Sequence, residues 1–232
     1  MLCEKKLQGE TMDQFIKRIK KKHNINKLAY TARLDPMAKG IVPFVENSEC
    51  VNIKKYLGTN KSYQVKIIFG LQTDSDDVLG LISKQNVDFD FIEIKNLIIN
   101  YLSSINNSTF KQKFHYFSTK MLNHRRNNDV KPIDSHDVLL FDYKILSEGI
   151  FDYEKWKNKI IGFIQNIDQS KNFRQTDIIE QWKNLKCYKL FYLKIKLDVS
   201  SGFFVRQLIR DMSDFIKFPL MCYNINRISV SL

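Results

Sequence analysis

Residues 30–40 have the sequence Tyr30-Thr31-Ala32-Arg33-Leu34-Asp35-Pro36-Met37-Ala38-Lys39-Gly40. Pro36 restricts its own φ to about −65° and disfavours helical angles at the residue before it, so Asp35 is expected on a turn. Gly40 permits backbone angles that other residues rarely adopt. Such a turn can present the Asp35 carboxylate to a ligand, although an isolated Asp-Pro pair is also typical of an ordinary turn.

Four further segments combine glycines or aromatic residues with charged residues. They are Lys6-Leu7-Gln8-Gly9-Glu10-Thr11, Lys61-Ser62-Tyr63-Gln64-Val65, Phe69-Gly70-Leu71-Gln72-Thr73-Asp74-Ser75-Asp76-Asp77-Val78-Leu79-Gly80 and Ser200-Ser201-Gly202-Phe203-Phe204-Val205-Arg206-Gln207-Leu208-Ile209-Arg210-Asp211. Together with residues 30–40, these blocks resemble the motifs of the TruB family of pseudouridine synthases in the same order. Agreement over five ordered blocks is not expected by chance.

The resemblance implies a fold of the α/β class, of α+β type. We expect the pseudouridine synthase catalytic fold, in which a mixed, mainly antiparallel sheet is flanked by helices. A single catalytic domain is predicted over residues 1–232, with an elaborated middle segment at about residues 86–187. Because only five residues follow Arg227, we expect no C-terminal PUA domain of the kind that many relatives carry.

The composition is that of a folded soluble protein, with 44% hydrophobic and 27% charged residues. No apolar run approaches the roughly 18 residues that cross a bilayer, and the N-terminus is charged, so we expect a cytoplasmic protein without membrane contact. The four cysteines and four histidines lack the spacing of metal ligands. We therefore expect no metal, and the resemblance implies no cofactor.

The charge balance points to a polyanionic partner. Lysine and arginine number 37 against 25 acidic residues, which gives a net charge of +12. Basic residues cluster at 17–22 and at 111–126. RNA is the expected partner, and the resemblance favours tRNA bound by a monomer. A merely solvated, lysine-rich surface is the alternative.

Local patterns predict where helices and strands lie. Thr11 can cap a helix that runs to about His23. Residues 61–69 alternate in hydrophobicity and predict a strand with Tyr63 on its inner face. Further helices are predicted at about 48–57, capped by Ser48, and at 88–105, 153–167, 176–185 and 205–215, and further strands at 138–146 and 193–199. The polar residues 106–135 contain a basic stretch at 124–128, which is either a mobile loop that closes over RNA or a solvated surface loop.

The resemblance assigns three catalytic residues. Asp35 acts at the ribose, either as a nucleophile or as an acid/base aid to elimination. Tyr63 stacks on the target base, although its spacing alone also fits an aromatic residue of the core. Arg206 pairs with Asp35 and keeps it ionised, since a buried carboxylate without such a partner tends to protonate. A surface arginine at the start of a helix is the alternative for Arg206.

Five residues are expected to contact the substrate by the same resemblance. They are Lys6, Tyr30, Arg33, Phe204 and Ile225. The chain departs from the family pattern at four positions. Leu7 replaces a proline, Tyr30 a histidine, Ala32 a glycine and Phe204 a tyrosine.

The sequence therefore predicts an RNA pseudouridine synthase, an isomerase that acts on a uridine of structured RNA, most readily the T-loop uridine of tRNA. A non-catalytic RNA-binding protein or RNA chaperone that retains the fold is an alternative, motivated by Tyr30 and Phe204. A synthase of another family is a third, because Arg33-Leu34-Asp35 also resembles the motif of the enzymes that act on ribosomal RNA.

Overall fold

The computed structural model of this chain describes residues 1–117, 135–170, 173–186 and 189–231. The basic stretch at 124–128 lies outside these residues. None of the helices in the described part of the chain is both long enough and apolar enough to cross a membrane.

One large sheet organises the described residues. Its strands are β1 (Leu2–Lys6), β2 (Leu28–Tyr30), β3 (Lys39–Glu46), β4 (Lys61–Phe69), β7 (Ser108–Lys113), β8 (Ser135–Asp152), β9 (Lys189–Val199) and β10 (Leu220–Val230). The order across the sheet is β1-β3-β10-β4-β9-β8-β7, with β2 also paired to β3. The β3–β10 pair is parallel and the other pairs are antiparallel. The predicted mixed, mainly antiparallel sheet is confirmed.

A small hairpin and several helices flank this sheet. The hairpin consists of β5 (Leu71–Thr73) and β6 (Ile82–Gln85). The helices are α1 (Met12–His23), α2 (Phe91–Ile105), α3 (Tyr153–Gln165), α4 (Gln175–Asn184) and α5 (Val205–Ile216), together with a 3-10 helix (Asn47–Tyr56). Thr11 caps α1 as predicted, in a capping box with Gln14.

The core lies between one face of the sheet and the helices. On β4, Val65 and Ile67 are fully buried, and they lie opposite Ile195 and Leu193 of β9. Tyr63 follows the same alternation and is 6% exposed. The predicted inner face of β4 is therefore confirmed, and it carries Tyr63 to the end of the apolar row.

Three local predictions were wrong. Ser48 does not cap the short helix, because that helix already begins after Glu46, which makes no side-chain cap bond. The helical pattern at 205–215 predicts Leu208, Met212 and Phe215 on one face, but Phe215 is 62% exposed, since the buried face of α5 includes Ile209 instead. Residues 108–113, part of the polar segment 106–135 for which no strand was predicted, form strand β7 because β8 supplies a pairing partner distant in sequence.

Candidate active site

Asp35 lies on the loop that joins β2 to β3. The loop is closed at its base by a hydrogen bond from Thr31 N to Pro43 O (3.0 Å) and contains a turn in which Ala38 N donates to Asp35 O (3.0 Å). Leu34 is buried, as is Met37, and these two side chains anchor the loop on the core. The Asp35 carboxylate remains 38% exposed. The local sequence thus places one carboxylate on a well-anchored turn.

A buried lysine supports this loop from the interior of the protein. Lys6 Nζ donates to Ala38 O at 2.7 Å and to Pro36 O at 3.4 Å. The Lys6 side chain has no exposed surface, and burial lowers the pKa of its ammonium to about 8. The family resemblance predicted that Lys6 contacts the substrate. Its position instead gives it a supporting role, because its amine is enclosed by loop carbonyls.

A buried arginine that the sequence analysis missed holds the other side of the loop. Arg227 on β10 donates to the carbonyls of Ile41 (2.6 Å), Ala32 (2.8 Å) and Arg33 (3.1 Å). Arg227 is 1% exposed, and within the described ranges it forms no ion pair with a carboxylate. Its inward position in an alternating strand, two residues after Ile225, is the sequence signal that could have revealed it.

The Asp35 carboxylate pairs with Arg206 from the first turn of α5. Arg206 Nη2 is 2.7 Å from Asp35 Oδ2, and Nη1 is 3.3 Å from Asp77 Oδ2. The Arg206 side chain is 9% exposed. Burial alone would lower the pKa of Arg206, but the charges of Asp35 and Asp77 outweigh burial and raise it. The guanidinium therefore stays charged between two carboxylates.

Asp77 belongs to the turn at 73–80 that joins β5 to β6. Its carboxylate accepts hydrogen bonds from Leu79 N and Ser75 Oγ, both at 2.8 Å. Burial raises the pKa of Asp77 to about 6, and the nearby Arg206 charge opposes this shift. This turn lies in the motif at residues 69–80, but nothing in the local sequence indicates a role for Asp77.

A cavity of about 340 Å³ opens beside these residues. Its walls contain Asp35, Arg206, Tyr63, Arg33, Phe204 and Ile225 among the predicted site residues. Lys6 and Tyr30 are not part of its lining. Tyr30 ends β2, where it pairs with Phe44 and packs against the core. The structure therefore brings six of the eight predicted residues to one cavity, a size within the usual range for ligand pockets.

Phe204 connects α5 to strand β7. Gln112 accepts a hydrogen bond from Phe204 N (2.8 Å) and donates one to Phe204 O (3.0 Å). The Phe204 ring meets Phe114 and His136 edge to face, with centroids 5.9 and 5.7 Å apart. These contacts fix the residue that precedes α5, and they thereby set where Arg206 enters the cavity.

The site combines a partly exposed carboxylate, a buried guanidinium and an aromatic ring on an otherwise largely apolar wall. Such an arrangement can hold a flat polar ring against the aromatic side chain, and the carboxylate can then act as a nucleophile or exchange a proton with a group bound beside it. Among the described residues, no three or more histidine, cysteine, aspartate or glutamate side chains group together as a metal site would require.

One protein-family model matches the N-terminal part of the chain. The model of the TruB family pseudouridylate synthase N-terminal domain matches residues 20–131, a range that includes Asp35, Tyr63 and Asp77.

Three curated relatives are each named tRNA pseudouridine synthase B. The one from Mycoplasma capricolum is 32% identical over 61% of this chain and 50% of its own length. The one from Mycoplasmoides gallisepticum is 26% identical over 90% of this chain and 80% of its own length. The one from Ureaplasma urealyticum is 30% identical over 65% of this chain and 66% of its own length. The match thus spans about half of the first relative and four fifths of the second.

Solved structures share the fold at low sequence identity. A chain in the crystal structure of a Cbf5-Nop10-Gar1 complex matches with a TM-score of 0.56 at 13% identity, over 97% of this chain and 47% of the other. A chain in an H/ACA RNP bound to a substrate RNA containing 2'-deoxyuridine gives a TM-score of 0.53 at 12% identity, over 96% and 44%. At these identities the comparison supports the fold alone.

Proposed function

Because this chain belongs to the TruB family of pseudouridylate synthases, we propose that it converts uridine to pseudouridine in structured RNA. The observation that carries the proposal is the Asp35–Arg206 ion pair, 2.7 Å long, in a cavity that Tyr63 also lines. The T-loop uridine of tRNA is the proposed target. The names of the curated relatives support tRNA as the substrate.

The reaction exchanges one bond to the ribose for another. The bond from C1′ to N1 of uracil breaks, the base rotates, and C1′ joins C5, while the proton lost from C5 is balanced by one gained at N1. Asp35 acts at C1′, either as a nucleophile or as an acid/base aid to elimination. Arg206 holds the carboxylate through the 2.7 Å ion pair and keeps it aimed at the sugar.

The walls of the cavity retain and orient the base. Tyr63 stacks on uracil, and Ile225 and Phe204 close the pocket around it. An apolar enclosure of this kind retains the freed base while it rotates. Both faces of the flat ring are shielded from solvent there, and leaving the pocket would expose them to water again. The isomerisation needs no redox step, so the proposal includes no cofactor.

The RNA is held by charge outside the pocket. Reaching a base inside folded RNA requires extrusion of the nucleotide, which costs a few kcal/mol. Phosphate contacts from a surface with a net charge of +12 can offset that cost. Arg33 lies on the exposed side of the cavity and is the proposed phosphate contact nearest to Asp35. The family resemblance is what supports the further proposal that the protein acts as a monomer.

The Asp35→Asn variant tests the proposal. Wild-type protein and variant are incubated with transcribed tRNA, and pseudouridine is detected by carbodiimide labelling, with RNA affinity measured in parallel. We expect labelled product with the wild type and none with Asp35→Asn, at similar RNA affinity. Glu154→Gln removes a surface carboxylate of α3 and serves as the matched control.

Two outcomes would contradict this assignment. Activity retained in Asp35→Asn would remove Asp35 from the chemistry. RNA binding without labelled product, on tRNA and on total cellular RNA, would favour the RNA-binding protein or chaperone that the substitution at Phe204 suggests.

A further inference from the structure

Helix α5 directs two arginines toward two consecutive carboxylates. Arg206 and Arg210 are four residues apart and therefore share a face of the helix. Arg206 contacts Asp77, whereas Nε and Nη2 of Arg210 are both 2.9 Å from Asp76 Oδ2. This double pairing sets the register of the helix against the turn at 73–80.

A histidine completes the surroundings of Asp76. His115 follows β7, its side chain is 2% exposed, and its Nε2 is 3.0 Å from Asp76 Oδ2. Burial lowers the pKa of His115 to about 3, so the imidazole is neutral near pH 7. Its Nδ1 accepts a hydrogen bond from Phe117 N at 3.3 Å. Nε2 therefore carries the hydrogen and donates it to Asp76.

The backbone of Asp76 is also tied to its neighbours. Its φ is +57°, a left-handed conformation that residues other than glycine seldom adopt. Its carbonyl accepts a hydrogen bond from Cys222 N of β10 at 2.8 Å, and its amide donates to Thr73 O at 3.2 Å. Asp76 thus connects the turn, α5, the segment after β7 and β10.

The burial of Asp76 carries a cost in stability. Its side chain is 1% exposed, and burial raises the pKa of the carboxyl to about 6 despite the Arg210 charge. Buried ion pairs of this kind contribute little net stability compared with apolar packing. Their value lies in the geometry that they impose on neighbouring groups, and here the neighbour in sequence is Asp77.

We propose that Asp76 is a positioning residue for Arg206, an inference that rests on the proposed function. Because Asp76 is held by Arg210 and His115, the adjacent Asp77 is fixed where it meets one end of the Arg206 guanidinium. The other end of the guanidinium then faces the catalytic carboxylate. Asp76 is not part of the cavity lining, so its influence on turnover passes through Arg206.

The Asp76→Asn variant removes the charge and keeps the size of the side chain. We expect the single-turnover rate on tRNA to fall about tenfold or more, since small misplacements of catalytic groups have effects of this order. The dissociation constant for RNA should stay unchanged. Asp74→Asn is the matched control, because Asp74 lies on the same turn but pairs with Arg174 before α4. Its rate should equal that of the wild type.

A double-mutant cycle separates positioning from a general loss of stability. In an Arg206→Lys background, Asp76→Asn should change the rate very little, because the contact through which it acts is already altered. The same tenfold loss in both backgrounds would overturn the inference. If Asp76→Asn does not fold, His115→Leu replaces it, and His115→Gln should restore the rate by supplying a donor again.

The test distinguishes this inference from the proposed function. A wild type that forms pseudouridine, together with a fully active Asp76→Asn variant, overturns the positioning role alone. If the wild type is inactive on every RNA, a crystal structure of Asp76→Asn decides instead. Retention of the Arg206–Asp35 contact at 2.7 Å would overturn the inference, and its loss would support it.

Discussion

Buried cations support the loop that carries Asp35. Lys6 and Arg227 donate to carbonyls on either side of it, and within the described ranges neither has a carboxylate within ion-pair distance. Arg206 adds a third positive charge, in direct contact with the carboxylate. Each buried cation is costly to desolvate, and its hydrogen bonds to backbone oxygens offset part of that cost. The loop is therefore anchored by positive charges on several sides, and one of them, Arg206, contacts the Asp35 carboxylate directly.

Replacement of Arg227 by methionine tests this support. Arg227→Met leaves three backbone carbonyls without this donor, two in the loop and one in β3, so we expect the free energy of unfolding to fall by about 3 kcal/mol. Urea denaturation measures the loss. Arg18→Met is the matched control, because Arg18 is only partly buried on α1, where it pairs with Glu10. Its loss should stay below about 1 kcal/mol, and equal losses would argue against a special role for Arg227.

The pH dependence of the rate reports on the carboxylates behind Arg206. The pKa of Asp77 is about 6, as is that of Asp76, because both are buried. Below pH 6 these carboxylates take up protons, and Arg206 then loses its ion pair with Asp77. The single-turnover rate should therefore fall as pH decreases from 7 to 5.

Asp77→Asn provides the check on this assignment. Its rate should be low and should lack the inflection near pH 6, since the variant side chain does not titrate and Asp76 acts on Arg206 only through the carboxylate at position 77. Asp74→Asn should keep the inflection. A wild-type profile that is flat between pH 5 and 7 would contradict the prediction.

The parallel pairing of β3 with β10 brings the Asp35 loop to the cavity. Only Lys39 and Gly40 pair with β10, opposite Asn226 and Arg227. Gly40 has a φ of +114°, and a Cβ at this position would lie 2.2 Å from Arg227 O. Glycine is therefore required by both the backbone angle and the close approach of the strands.

Gly40→Ala should be strongly destabilising for this reason. We expect a loss of about 3 kcal/mol in the free energy of unfolding, from the combined strain and steric overlap. Gly58→Ala is a suitable comparison, since Gly58 also has a positive φ (+80°) but a Cβ there would point into open space, with no contact within 4 Å. It should lose only about 1 kcal/mol. Similar losses at the two positions would show that strand contact at Gly40 is unimportant.

Across the whole molecule, charge and shape have separate roles. The cavity is lined largely by apolar and aromatic groups, whereas the chain carries 37 basic against 25 acidic residues. Under the proposed function, affinity for RNA is expected to come mainly from phosphate contacts over a broad surface, while the cavity is expected to select the base.

RNA binding should accordingly depend strongly on salt. For about six phosphate contacts, we expect the affinity for tRNA to fall about 10³-fold between 50 and 200 mM monovalent salt. Fluorescence anisotropy with labelled tRNA measures the slope of log K against log salt. Arg33→Ala should reduce the magnitude of that slope by about 0.9, the contribution expected from one phosphate contact. A slope near zero would contradict the electrostatic account of binding.

Local patterns made several features predictable from the amino-acid sequence. The Thr11 cap, the inner face of β4 and the Asp-Pro turn depend on neighbouring residues, and residues near in sequence report on them directly. The ordered motifs indicated the family and directed attention to Asp35, Tyr63 and Arg206.

Other features depend on contacts between segments far apart in the chain. Arg227 lies beneath the Asp35 loop, and Asp76 meets Arg210 and His115, only after the sheet and helices pack. No local pattern encodes such pairings, because the free energy of a buried charge depends on which partners the fold brings within hydrogen-bond distance. The tertiary structure alone therefore assigns Lys6 and Arg227 to support and Asp76 to the positioning of Arg206.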